Sequence, residues 1–288
     1  MKGIVIGIDT YSFHRLLGDV RAGELPPPAS LSGGDRAALE LAASFGPDLV
    51  ALQTCFLDPR LDPARLRAAA GEIDLALSWG HPEGLAFGAR PEAEDSRFRG
   101  LEFAAAAETR LVRIVVGGPR LRGAEALERQ LERTVAPLGR CAERASAMGL
   151  RLAIENHGDL TIAELGRLLD MTGEEETLGI CLDTANVVRL GEDLVDACAA
   201  ASPRVLMVHL KDTDGVVADP VAGPVSVPYG SGVVPLKEAL AALGGAIRRE
   251  APVCVEIGQV GPEDDELELV ASGVEWLTEF SRRRPAGR

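Results

Sequence analysis

The sequence has no CxxC pair, no excess of basic residues, no GxGxxG loop and no long apolar run. Each absence removes a class of protein. The five cysteines, Cys55, Cys141, Cys181, Cys198 and Cys254, are odd in number and widely spaced. Cys181 and Cys254 fall inside apolar runs and read as small core residues. A reduced, cytoplasmic setting is expected from this usage. The formal net charge of −14 argues against nucleic acid as the main partner, because a phosphate backbone calls for a basic face. No apolar stretch reaches the ~20 residues that span a bilayer, so no membrane partner is expected. The N-terminal stretch turns polar at Asp9, too soon for a signal peptide. Gly7-Ile8-Asp9-Thr10 leads straight into Tyr11-Ser12-Phe13-His14 and does not form a dinucleotide-binding turn.

What is present is a regular alternation. Short apolar runs predict strands at 4–9, 48–52, 73–78, 111–116, 151–155, 178–183, 205–210 and 252–257. They carry Val, Ile and Leu on both faces, as strands of a buried parallel sheet must. Helical patterns fill the intervals at 35–44, 63–70, 91–109, 124–148, 162–170, 193–200, 235–243 and 264–281. Gly46 and Gly149 follow two of these helices in C-cap fashion. Eight strands alternating with eight helices is the arithmetic of an α/β fold, a single (β/α)8 TIM barrel over 1–288. The segment 25–30 reads as a long first loop, and 216–229 as a Gly/Pro-rich loop after the seventh strand. The last residues, 282–288, read as a frayed tail.

The four histidines, His14, His81, His157 and His209, each sit at or just past a predicted strand end. In barrels of this kind that end is where chemistry sits. Four residues close successive strands there: Glu155, Asp183, His209 and Glu256. Two Glu, one Asp and one His form a mostly oxygen shell, which suits a hard octahedral cation better than a structural zinc. Three carboxylates side by side also call for a neutralising charge. Taken singly, such carboxylates cap helices or bind surface cations; four on successive strands favour a metal site. Lys211 and Asp212 are placed to hold substrate hydroxyls or to support His209. His157, two residues past Glu155, is placed as an additional acid/base. Lone loop histidines more often pack or cap, but His14 and His81 share the strand-end placement and are candidate substrate contacts. Trp79, Tyr11 and Phe13 are candidates for an apolar wall, with rim packing as the competing reading.

The segments Ile154-Glu155-Asn156-His157, Leu182-Asp183-Thr184-Ala185-Asn186, Val208-His209-Leu210-Lys211-Asp212 and Val255-Glu256-Ile257-Gly258 resemble the motifs of the xylose isomerase-like TIM barrels. That superfamily holds sugar isomerases, ketose 3-epimerases, hydroxypyruvate isomerase, inosose dehydratase and endonuclease IV. Tyr229-Gly230-Ser231-Gly232-Val233-Val234-Pro235-Leu236 is similar to its glycine-containing loop before the last helix pair. The resemblance implies Glu155, Asp183, His209 and Glu256 as metal ligands, with Mn2+ leading and Mg2+, Co2+ and Zn2+ as alternatives. It implies Glu155 and Glu256 as an acid/base pair on opposite faces of a bound sugar, and an enolising isomerase or epimerase as the activity.

One departure is Asn186, where many members carry histidine. A neutral amide still binds a hydroxyl but does not shuttle a proton. Tyr11-Ser12-Phe13-His14-Arg15 with Gly18-Asp19 resembles a branch that includes catalytic subunits of C-glycoside-cleaving enzymes. There the same enolisation on a 3-keto sugar leads to elimination, which a base such as His157 would serve. A lyase of that kind, or a keto-inositol dehydratase, is the leading alternative. A barrel that binds a polyol without turnover is the third reading. Endonuclease IV relatives need more histidines than this chain has. The partner expected is a carbohydrate or cyclitol, without phosphate, since only Arg15, Lys211 and Arg120 are candidates to receive one. A homo-oligomer or a small β-rich partner subunit stays open.

Overall fold

A computed structural model of the chain describes residues 3–19, 36–58, 60–79, 84–117, 127–215 and 223–283. Eight parallel strands, each hydrogen-bonded to the next, close into a barrel: β1 (Ile6–Asp9), β2 (Leu49–Gln53), β3 (Asp74–Ser78), β4 (Leu111–Val115), β5 (Arg151–Glu155), β6 (Leu178–Asp183), β7 (Val205–Leu210) and β8 (Val253–Val255). The helices are α1 (Ala37–Ala43), α2 (Pro63–Ala70), α3 (Glu94–Ala106), α4 (Leu127–Ala147), α5 (Ile162–Thr172), α6 (Thr184–Arg189), α7 (Leu194–Ala201), α8 (Leu236–Ala242), α9 (Gly244–Arg248) and α10 (Glu266–Arg283). This is the expected (β/α)8 architecture. Among the described residues no helix is long and apolar enough to cross a membrane.

Strand ends differ from the sequence expectation where side chains intercept backbone groups. The first strand starts two residues late because the Ile4 N–H is taken by Ser281 Oγ of α10 at 3.3 Å. The last strand is shorter at both ends. Pro252 has no N–H to give, and the Ile257 N–H goes to Ser12 Oγ at 3.0 Å instead of a neighbouring strand. The predicted helix 91–109 divides into a 3-10 turn at Pro91–Ala93 and α3. Two short helices, α6 and α9, were not expected. The first is capped by Asp183, whose Oδ1 accepts the Asn186 N–H at 3.0 Å.

Alternation along each strand builds two cores. Outward residues such as Ile8, Val50, Leu52, Leu77, Ile114, Ile154 and Leu182 pack under the helices. Inward residues form a second, smaller cluster inside the barrel: Leu49, Ala51, Ala76, Ala153, Cys181, Met207 and Cys254 among them. That inner layer is mostly small side chains. The next inward residue of each strand lies toward its C-terminal end.

Candidate metal centre

Two residues above the inner apolar layer, every strand presents a polar side chain. They are Asp9 on β1, Gln53 on β2, Ser78 on β3, Arg113 on β4, Glu155 on β5, Asp183 on β6, His209 on β7 and Glu256 just past β8. Register sets neighbours abreast: Gln53, Ser78 and Arg113 are paired across β2–β4, and Asp183 is paired with His209. All eight are buried. The half of this ring on β5–β8 is the half expected from the sequence; the half on β1–β4 was not expected.

Glu155, Asp183, His209 and Glu256 each offer one ligand atom, and these four atoms lie within 4.8 Å of one another. His209 Nδ1 is 2.5 Å from Glu256 Oε2 and 3.7 Å from Glu155 Oε1. Lys211 Nζ stands 2.8 Å from Asp183 Oδ2 and 3.0 Å from Glu256 Oε1. Arg113 Nε lies 2.8 Å from Glu155 Oε2, and its Nη1 donates to the Trp79 carbonyl at 2.8 Å.

The donor set fits a divalent cation. Three carboxylates and one imidazole, all buried, converge on one point, and Glu155 Oε1 there has no hydrogen-bond partner. Buried polar atoms are normally satisfied, and a cation at this point would satisfy it. Formal charge agrees. Four carboxylates in the ring (Asp9, Glu155, Asp183, Glu256) face two fixed cations (Arg113, Lys211), and one divalent ion restores neutrality.

The electrostatics follow from that crowding. Burial pushes the Glu155 carboxyl up, but Arg113 and the nearby His157 and His209 outweigh it and hold it well below the usual carboxylate range. Burial likewise raises Glu256, and His209 and Lys211 bring it below its ordinary value. For Asp183 burial prevails over Lys211, with Glu256 and Glu155 adding to it, and the carboxyl is pushed up to about 6. Burial opposes the charge on Lys211, yet Asp183 and Glu256 raise its affinity for the proton.

Around the ring, loops hold the strands of this cluster in place. Asn156 accepts the Asp183 N–H at 2.7 Å and donates to the Asp183 carbonyl at 3.1 Å, which ties the ends of β5 and β6. Asp212 is buried and accepts the N–H groups of Thr213, Gly230, Gly232 and Val234, so it pins the loop before α8 to the end of β7. A Cβ at Gly232 would overlap the Asp212 carboxylate. The Tyr229 hydroxyl donates to the Leu210 carbonyl beside His209.

The remaining candidates from the sequence fall in different places. His157 is exposed at the mouth yet ringed by protein, and desolvation holds it below the ordinary imidazole value against the pull of Glu155. Asn186 is buried in the first turn of α6. His14 is fully buried: its Nδ1 is 2.9 Å from the Tyr11 carbonyl and 3.4 Å from Glu266 Oε1 of α10, and its ring stacks on Tyr11. Trp79 is fully buried and packs on Gly100 of α3, where a Cβ would overlap its ring. His81 lies outside the described residues, as do 25–30 and 216–222.

The same architecture recurs in solved proteins. D-allulose 3-epimerase from Methylomonas sp. superposes with a TM-score of 0.72 at 18% identity, covering 97% of this chain and 99% of that one. The IolI protein with a bound zinc atom superposes with a TM-score of 0.70 at 15% identity, covering 97% of this chain and 96% of that one. At these identities the likeness is one of fold. In sequence, the uncharacterized protein YihM of Escherichia coli K12 is 31% identical over 127 residues, which span 44% of this chain and 34% of that protein. Residues 39–280 match the family model of the xylose isomerase-like TIM barrels, and the chain belongs to that family.

Proposed function

We propose that this protein is a divalent-metal-dependent isomerase or epimerase of a small, unphosphorylated sugar or sugar-like ketone, working by enolisation. The carrying observation is the buried Glu155–Asp183–His209–Glu256 cluster at the mouth of the barrel. Solved proteins of this fold include sugar 3-epimerases and a zinc-bound member, which supports the reading. The same four residues would hold the cation, with Mn2+ or Zn2+ as the first ions to test. Bound there, it polarises a substrate carbonyl and its neighbouring hydroxyl, and so acidifies the C–H between them.

The chain's own groups supply the rest. Glu155 and Glu256 both face His209 Nδ1 and are held ionised by Arg113 and Lys211, ready to accept a proton. Asn186, and Lys211 from its ion pairs with Asp183 and Glu256, would orient hydroxyls. Of the candidates for a phosphate, Arg15 is bound to Glu266 and the Asp264 carbonyl, Lys211 is taken by Asp183 and Glu256, and Arg120 lies outside the described residues, so an unphosphorylated substrate is the reading.

One observation favours a second reading. His157 is exposed beside the cluster with its proton affinity lowered, so it is a neutral imidazole at pH 7 next to carboxylates that are held by cations. A base of that kind, after the same C–H cleavage, can assist loss of a β-substituent. This is the lyase chemistry of keto-inositols and 3-keto glycosides.

The test is incubation in D2O with Mn2+ or Zn2+ and a panel of free ketoses, keto-inositols and 3-keto glycosides. Deuterium entering next to the carbonyl without cleavage supports the isomerase. Release of water or an aglycone supports the lyase. Glu256→Gln is expected to abolish either outcome while leaving the circular-dichroism spectrum unchanged. Full activity after chelation and dialysis, or no exchange with any substrate, overturns the reading.

A further inference from the structure

We propose that Asp9 is the positioning residue of the metal-binding histidine: its carboxylate holds the Nε2–H of His209 and leaves the Nδ1 lone pair for the cation. The inference rests on the metal reading above and deepens it. A neutral imidazole offers one lone pair, and the hydrogen bond made by its other nitrogen decides which. His209 is fully buried, so water does not make that choice. Its Nδ1 faces Glu256 and Glu155, toward the centre of the cluster. Its Nε2 points the other way, 3.5 Å from Asp9 Oδ2, an ion-pair distance just longer than the hydrogen bond proposed for the metal-loaded protein. Asp9 itself is not one of the four clustered ligands.

The Asp9 carboxylate is held from several sides. Oδ1 accepts the Tyr11 N–H at 2.8 Å and the Gln53 side-chain amide at 3.0 Å. Oδ2 accepts the Ser78 hydroxyl at 2.8 Å. The bond from Tyr11 caps the 3-10 turn Thr10–Phe13 and explains Oδ1 alone. Nothing in the cap requires Oδ2, nor Ser78 and Gln53 on β3 and β2. Those two contacts acquire a purpose if Oδ2 must stay aimed at His209. The four polar residues of β1–β3 and β7 then act as one chain: Ser78 and Gln53 fix Asp9, Asp9 fixes the ring, and the ring presents Nδ1. Carboxylate–histidine–metal arrangements of this kind are worth tenfold to a hundredfold in metal affinity, as an order of magnitude.

The test uses the full chain loaded with Zn2+, which is diamagnetic. In 15N-histidine-labelled protein, long-range 1H–15N correlations are expected to place the His209 proton on Nε2, with Nδ1 bare and shifted by zinc. The proton on Nδ1 overturns the proposal. Zinc affinity, read by competition with a chelating dye, is expected to weaken at least tenfold in Asp9→Asn, which keeps the Oδ1 acceptor for Tyr11, and by less in Ser78→Ala. An unchanged affinity in folded Asp9→Asn overturns it as well. If Asp9→Asn does not fold, the wild-type spectrum still decides. Wild-type protein that takes up neither Zn2+ nor Mn2+ overturns the metal reading and this one with it. Zinc uptake with the wrong tautomer overturns only the role of Asp9.

Discussion

Replacing Asp159 by Asn is expected to stabilise the protein at neutral pH and to do so in a pH-dependent way. Asp159 follows β5, in the turn that carries His157, and is 1% exposed. Its Oδ1 accepts the N–H groups of His157 at 3.0 Å and Leu160 at 2.8 Å. Its Oδ2 has no hydrogen-bond partner and closes on Gly117 together with the Phe87 ring. Burial is the main reason its pKa is pushed from 3.8 to about 7. Because the folded value lies above the unfolded one, the folded state binds more protons between pH 4 and 7. Stability is then lost as pH rises through that window and is flat above it. At about 1.36 kcal/mol per pH unit, full ionisation costs at most about 4 kcal/mol. Asparagine keeps the Oδ1 acceptor and removes the charge. Its amide N–H2 inherits the unpartnered site, which gives back about 1–3 kcal/mol. The variant should therefore match or fall below wild type near pH 4 and exceed it near pH 8, the gap growing by up to about 4 kcal/mol across the window. Urea denaturation of both proteins in chelator at a series of pH values measures this. A gap that does not change with pH refutes the argument.

Two further substitutions test the supports of the mouth. Gly232→Ala puts a Cβ into the Asp212 carboxylate and the Thr213 carbonyl, so the loop before α8 must lift off β7; about 1–3 kcal/mol should be lost in thermal unfolding, together with weaker zinc binding. An unaltered melting temperature would refute the placement of that loop. Trp79→Ala empties a fully buried site beneath α3 and should cost about 3–5 kcal/mol in denaturant, with little change in the affinity of folded protein for a substrate analogue; a large affinity loss at unchanged stability would move Trp79 to the mouth.

The barrel was legible because its strands are apolar on both faces and its helices are spaced between them, and both signals survive without any tertiary knowledge. The half of the mouth on β5–β8 was legible because Glu, Asp, His and Glu stand at the ends of four successive strands, where few apolar strands place a charge. The other half carried a weaker form of the same signal. Asp9 closes β1 as Glu155 closes β5, and Arg113 interrupts Leu111-Val112-Arg113-Ile114-Val115 in a run otherwise fit for a core. Gln53 escaped because the strand ends one residue later than its apolar pattern does.

Alternation settles which of these side chains share the interior, and it also settles Trp79: with Ser78 facing inward, the next residue must face the helices. It is silent past the strand end. His14 follows Asp9 by five residues, but the 3-10 turn Thr10–Phe13 carries its ring toward Glu266 of α10, a residue far away in sequence. A strand-end histidine is therefore evidence for a site only while the two-residue period still applies. His209 sits inside β7 and keeps that period, whereas His157 lies just beyond Glu155 and owes its place at the mouth to the turn that Asp159 holds by accepting the His157 N–H.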